Sequence, residues 1–197
     1  MVELFNQTLF LLINADIQPN ALIVMLAKLM ADLPIWLVPS LLIIGWLRGD
    51  NSIRKGFLTA ALTAVIALSV NQIIGFFWQH PRPFMMGLGH TLIPHVADSS
   101  FPSDHMTLFS SIAVTFLLSR KYLIGWVIFI MAWTVAWARI YIGVHFPFDM
   151  IGAFILSISV ALLMEPVWKK IGDQFTQPFV YLYEMILTRL FNIHKAN

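Results

Sequence analysis

Arg139, His145 and Asp149 stand in one short stretch between two strongly apolar runs. A charged or titratable side chain at the edge of hydrocarbon is costly unless it is paired or faces a wet cavity, so three together need a shared purpose. Two further clusters have the same character, His80-Pro81-Arg82-Pro83 and Pro102-Ser103-Asp104-His105. Arginine is always charged and offers a planar fork of donors that suits phosphate oxygens, so Arg82 and Arg139 form a candidate clamp. Ser103 adds a hydroxyl donor. Pro102-Ser103 also reads as a helix start, with Ser99 or Ser100 available as its cap, and the exposed backbone N–H groups of such an end bind anions. His145 and Asp149 are spaced i, i+4, on one face of a helix that begins near Phe146-Pro147. A carboxylate bonded to one imidazole nitrogen fixes the tautomer and leaves the other nitrogen free to attack phosphorus. His105 would then supply a proton to the leaving oxygen and later remove one from water. The chemistry these residues suit is phosphoryl transfer.

The elements that must position them are membrane helices. The chain of 197 residues is 59% hydrophobic and only 11% charged, with a mean hydropathy of +0.79. That leaves too little polar surface for a soluble domain and predicts an all-α, polytopic membrane helix bundle. The absence of cysteine removes disulfides, thiol nucleophiles and thiolate metal sites together. A formal charge of +2, with the basic residues dispersed among loops, gives no ground for nucleic-acid binding. Residues 1–20 carry only Glu3 and Asp16 as charges and do not read as a cleaved signal peptide.

About 20 residues at about 1.5 Å rise cross the hydrocarbon, and the segments 21–47, 56–78, 104–118, 122–142 and 147–166 qualify. The expectation is about five to six transmembrane helices with interfacial N-terminal and C-terminal helices, in a single domain over 1–197. The first span carries Lys28, Asp32, Pro34 and Pro39 and is expected to kink or lie partly in the interface. The third is short, which sinks its N-terminal end below the membrane surface. The run Leu4 to Ile13 is too short to cross and is expected in the interface. His90, His95 and Asp98 fall in the loop 84–101, which reads as a mobile polar cover over the site mouth in preference to a metal site. The tail, 173–197, sets Phe179, Leu182, Tyr183, Ile186, Leu190 and Phe191 opposite Glu184, Thr188 and Arg189. That pattern suits the cytoplasmic surface of the membrane or a homodimer contact.

Basic residues give the orientation. Arg48, Arg54 and Lys55, then Arg120 and Lys121, then Lys169 and Lys170 fall on one side of the alternating spans, and Arg189 and Lys195 agree. By the positive-inside rule that side is cytoplasmic. Lys28, Arg82 and Arg139 are the exceptions, and the three clusters share the outward end.

Arg82-Pro83, then Pro102-Ser103-Asp104-His105, then Arg139 with His145 and Asp149 resemble the three-part signature of the type 2 phosphatidic acid phosphatase superfamily, over positions 82–149. Within it, the Pro-Ser-Asp-His form and the short loops look most like the bacterial undecaprenyl-diphosphate phosphatases of the BcrC type. The resemblance implies a metal-independent enzyme without a cofactor, in which His145 forms a phosphohistidine, Asp149 supports it and His105 is acid and base. Arg82, Ser103 and Arg139 would hold the phosphate, with Asp104 beside them. The superfamily pattern has lysine seven residues before its first arginine, where this chain has Gly75, and serine before its third-cluster arginine, where this chain has Ala138. Lys28 is expected to replace that lysine: Lys28 and Gly75 both fall on the order of 10 Å below the outer surface, with Asp32 one turn on to hold the ammonium.

The implied activity is hydrolysis of undecaprenyl diphosphate, a polyprenyl diphosphate lipid, on the periplasmic face of a bacterial inner membrane. It would recycle the carrier for wall polymers and confer bacitracin resistance. A broader lipid phosphatase acting on phosphatidylglycerol phosphate or phosphatidic acid has the same motifs. A phosphotransferase differs only in the acceptor that resolves the phosphohistidine. A transporter predicts a polar path through the bundle, yet the inner halves of these helices show few charges.

Overall fold

The computed structural model of the protein describes residues 1–192, with side chains to residue 189, and every regular element among them is helical. In chain order these are α1 (Val2–Ile13), α2 (Ala21–Arg48), α3 (Asn51–Phe77), α4 (Asp104–Leu118), α5 (Tyr122–Tyr141) and α6 (Pro147–Asn192), with one 3-10 turn at Pro83–Met86. Helices α2, α3, α5 and α6 are long and apolar enough to cross a membrane, while α1 and α4 are shorter apolar helices. At 15 residues α4 rises about 22 Å, against about 30 Å of hydrocarbon. Exposed Trp36, Ile43, Phe76, Leu123, Ile130 and Leu163 give the outer surface the apolar character that lipid requires. The protein is a multi-pass membrane protein.

Polar caps set where the helices begin. Asn20 Oδ1 accepts the Leu22 N–H at 2.9 Å to start α2, and Asp50 Oδ1 accepts the Ile53 N–H at 2.8 Å to start α3. For α4 the cap is Ser103 itself, whose Oγ accepts the Met106 N–H at 3.5 Å, and neither Ser99 nor Ser100. Those two hydroxyls are engaged elsewhere: Ser99 donates to the carbonyls of Trp78 and Phe101, and Ser100 donates to Asp149. Helix α2 runs unbroken from Ala21 to Arg48 with Pro34 and Pro39 inside it.

Helix α4 lies at the centre of the bundle and buries Met106, Phe109, Ile112, Ala113 and Phe116. Small residues on its neighbours, Ala60 and Ala64 on α3, Ala132 and Ala136 on α5 and Ala153 on α6, let backbones approach closely. A buried polar chain crosses the same layer. Ser157 Oγ donates to the Thr107 carbonyl at 3.1 Å, and Thr107 Oγ1 donates to Asn71 Oδ1 at 2.9 Å, joining α6, α4 and α3. On the other flank Ala27 and Ala31 of α2 pack against Ala138 and Ile142.

The loops gather at two ends. At one, the Leu92 N–H donates to the Ile142 carbonyl at 2.9 Å and the Ser103 N–H to the Asp149 carbonyl at 3.3 Å, tying the α3–α4 loop to the α5–α6 turn. Helix α1 is laid across this end: Asn14 Nδ2 donates to the Tyr141 and His90 carbonyls, both at 2.9 Å, and Phe10 meets Phe146 edge-on at 5.3 Å. At the other end Lys121 Nζ donates to Ser52 Oγ at 3.2 Å.

The sequence predicts a fifth span over 147–166 and a separate tail helix, whereas α6 is one uninterrupted helix of 46 residues, about 69 Å long, with Pro166 and Pro178 inside it. Contacts to the α2–α3 turn keep its far half in line. Lys55 Nζ pairs with Asp173 Oδ1 at 2.7 Å, the Tyr183 hydroxyl donates to the Leu47 carbonyl at 3.2 Å, and the Arg54 guanidinium lies 4.5 Å over the Tyr183 ring. Phe179, Leu182 and Ile186 remain exposed. The side chains of Leu190 and Phe191, and Lys195 altogether, lie outside the described residues.

Candidate active site

His145 occupies the α5–α6 turn and is 2% exposed. The turn depends on Gly143, whose φ of +86° suits glycine and whose missing Cβ leaves room for the His90 carbonyl. Helix α6 then starts at Pro147, whose fixed φ suits a first helical position. Asp149, in the first turn, reaches back so that Oδ2 accepts the Phe146 N–H at 2.7 Å, satisfying a donor the helix leaves free. The same Oδ2 lies 3.3 Å from His145 Nδ1 and accepts the Ser100 hydroxyl. Ser100 Oγ is itself 3.3 Å from Nδ1. With a carboxylate and a hydroxyl oxygen around Nδ1, the ring proton is assigned there and Nε2 carries the lone pair. Burial above all, with Arg139 and Arg82 adding to it, holds the His145 pKa well below the ordinary histidine range, so the ring is neutral at neutral pH.

Arg82 follows α3 between Pro81 and Pro83 and is 4% exposed. Nη1 lies 3.1 Å from His145 Nε2 and donates to the Val144 carbonyl at 2.9 Å, Nη2 donates to the Ser99 carbonyl at 3.3 Å, and Nε pairs with Asp98 Oδ1 at 2.7 Å. Arg139, in the last turn of α5, makes a second arginine–histidine pair: Nη1 is 3.4 Å from His105 Nε2. Its Nη2 is 2.9 Å from His95 Nε2, and its buried Nε has no hydrogen-bond partner among the described residues. Two guanidinium groups and three imidazoles thus meet at one end of the bundle. A group of this kind can bind an anion, neutralise charge that builds on it and deliver a nitrogen nucleophile to it.

The structure therefore brings Arg82, His105, Arg139, His145 and Asp149 together. It adds Ser100, His95 and Asp98, which sequence reasoning had as a cap candidate and as members of a covering loop. No spacing rule joins Ser100 to Asp149 across 49 positions. Ser103 is engaged as the α4 cap and fully buried. Asp104 Oδ1 accepts from Asn71 Nδ2 at 2.6 Å and Gln72 Nε2 at 2.8 Å, so this oxygen faces α3. Gly75 borders a cavity of about 590 Å³ on that side, lined also by His80, Asp98 and Asp104.

The expected Lys28–Asp32 pair is not formed. Lys28 is exposed on α2 and pairs with no carboxylate among the described residues, while Asp32 Oδ1 lies 3.9 Å from Arg139 Nη1. Packing of Ala27 and Ala31 against α5 brings Asp32 beside that guanidinium, a stronger attraction than an exposed i, i+4 partner offers. Nor is the 84–101 loop simply a polar cover, since Leu92 and Ile93 pack against the cluster of Ala27, Ala31, Ala138, Ile142 and Val144.

Residues 56–173 match the PAP2 superfamily. The chain is 33% identical over 177 residues to a putative undecaprenyl-diphosphatase, YbjG, of Escherichia coli (strain K12), a match that covers 90% of this chain and 89% of that protein. It is 36% identical over 145 residues to the undecaprenyl-diphosphatase BcrC of Bacillus subtilis (strain 168), covering 74% of each. Among solved structures it is similar to Aquifex aeolicus LpxE, with a TM-score of 0.60 and 26% identity over 81% of this chain and 93% of that one.

Proposed function

The chain belongs to the PAP2 superfamily, and on that footing we propose that it hydrolyses undecaprenyl diphosphate to the monophosphate and inorganic phosphate. The observation that carries the reading is the buried His145, backed by Asp149 and Ser100 and set beside Arg82, with the His105–Arg139 pair at the same end of the bundle. The similarity to two proteins named undecaprenyl-diphosphatases directs the choice of lipid.

In the proposed reaction His145 Nε2 attacks the terminal phosphorus, forming a P–N bond as the P–O bond to the bridging oxygen breaks. With the anionic headgroup bound beside it, His105 takes up a proton from solvent and gives it to that oxygen, and the lipid leaves as the monophosphate. His105, now neutral, takes a proton from water as the water oxygen attacks phosphorus; the P–N bond breaks and inorganic phosphate departs. Arg82 and Arg139 neutralise the phosphoryl oxygens throughout, and Asp149 with Ser100 stabilises the imidazole that carries the phosphoryl group. These residues supply the positive charge themselves, so the mechanism needs no metal. The distribution of basic residues supports placing this end on the periplasmic side of a bacterial inner membrane.

The test is phosphate release by the purified protein from undecaprenyl diphosphate, phosphatidylglycerol phosphate and phosphatidic acid, with and without EDTA, beside His145→Ala. Preference for the prenyl diphosphate, indifference to EDTA and a fall of roughly 1000-fold or more in the variant are expected. Strong inhibition by EDTA, or activity retained in His145→Ala, would overturn the mechanism.

A further inference from the structure

His95 has no part in the reaction just described, yet it reaches into the site. The loop that carries it is held before it by the His90 N–H on Asn14 Oδ1, at 2.6 Å, and by the Leu92 N–H on the Ile142 carbonyl, at 2.9 Å. After it, Asp98 pairs with Arg82 at 2.7 Å. Nε2 of His95 and Nε2 of His105 sit on adjacent nitrogens of one guanidinium, 2.9 Å from Arg139 Nη2 and 3.4 Å from Arg139 Nη1. The ring of His95 is 6.4 Å from that of His145. Three imidazoles therefore border one anion-binding space, and the mechanism employs two.

The third has a use that follows from the chemistry of the leaving group. The oxygen that His105 protonates belongs to carbon in a lipid monophosphate, but in a diphosphate it is the bridge to a second phosphorus. The oxygens of that inner phosphate need donors next to His105, and its neighbour along the Arg139 edge is His95. We propose that His95 binds the inner phosphate and thereby sets the preference for diphosphates over monophosphates; this rests on the hydrolase reading above.

The protonation of His95 suits the task. Its Nδ1–H donates to the Val96 carbonyl at 3.1 Å, so Nε2 accepts from Arg139. Burial above all, with Arg82 and Arg139 adding to it, holds its pKa below the ordinary value, while the hydrogen bond to the Val96 carbonyl and the nearby Asp98 oppose them. An inner phosphate adds negative charge at Nε2, which then takes a proton from solvent and donates to the phosphate oxygen.

The test compares farnesyl diphosphate with farnesyl phosphate as substrates for wild type, His95→Gln and His95→Asn, each in detergent. Inhibition by a farnesyl methylenediphosphonate and by a farnesyl phosphonate gives the same comparison without turnover. Both variants are expected to lose about tenfold or more in kcat/KM for the diphosphate, and in affinity for the diphosphonate, while the monophosphate values move less than about twofold. An equal loss for both headgroups would make His95 only a support for Arg139 and overturn the assignment. So would no loss for either. A wild type without preference for the diphosphate would instead sink the proposed function, so the two failures are distinguishable.

Discussion

Ser100 gives its hydroxyl hydrogen to Asp149 and turns its oxygen toward the imidazole proton, so the ring of His145, the proposed nucleophile, is oriented by two oxygens. Removing one leaves a buried carboxylate short of a donor and the ring held by a single long contact. Ser100→Ala is expected to lower kcat by about tenfold and leave KM within about twofold, because in the proposed mechanism the hydroxyl acts on the His145 ring and not on the bound phosphate. Steady-state phosphate release measures both constants, and an unchanged kcat would remove Ser100 from the catalytic group. His145 with Asp149 could be read from the chain because four positions make one helical turn. Ser100 could not, since its partner is fixed by how the loop folds back over α6. Lys28 with Asp32 has the same spacing as His145 with Asp149, yet there the nearby Arg139 takes the carboxylate. Spacing supplies a pair only where no stronger partner competes.

Among the elements, the ones with a long apolar period were legible and the ones defined by contact were not. The spans of α2, α3 and α5 follow from apolar length, and the start of α6 from Phe146-Pro147. The continuity of α6 depends on Asp173 and Tyr183 meeting the α2–α3 turn, which no local pattern encodes. Helix α1 is the clearest case. Its apolar run showed that it is too short to cross and led to an expected place in the interface, whereas its seat on the bundle is set by Asn14, which bonds both the loop carrying His95 and the end of α5 that carries Arg139. Asn14→Ala removes all three bonds at once. It is expected to cost about 2–3 kcal/mol of stability in detergent and to lower kcat/KM about tenfold with the chain still folded. Thermal unfolding and phosphate release check the two parts, and wild-type values in both would show that α1 only rests on the site.

At the scale of the whole molecule, charge and chemistry are separated along the bundle. Lys55, Lys121 and Lys169 line one cavity at the end opposite His145, next to Ser52 and Glu165. Because the chain holds no cysteine, single introduced thiols report sidedness without background. Met86→Cys, beside the site, is expected to react with an impermeant maleimide in intact cells. Asn51→Cys, at the other end, is expected to react only after the membrane is opened, and the reverse pattern would overturn the proposed orientation. The 15 residues of α4 have a consequence of a different kind. His105 is the second residue of the one bundle helix too short for the hydrocarbon, while Asp149 sits on the longest. A bundle built this way places a hydrophobic mismatch beside the proposed site. Bilayer thickness is then expected to tune the reaction: phosphate release in phosphatidylcholine vesicles of increasing acyl length should fall as the bilayer thickens, and a rate indifferent to thickness would show that the other helices alone set the depth of the site.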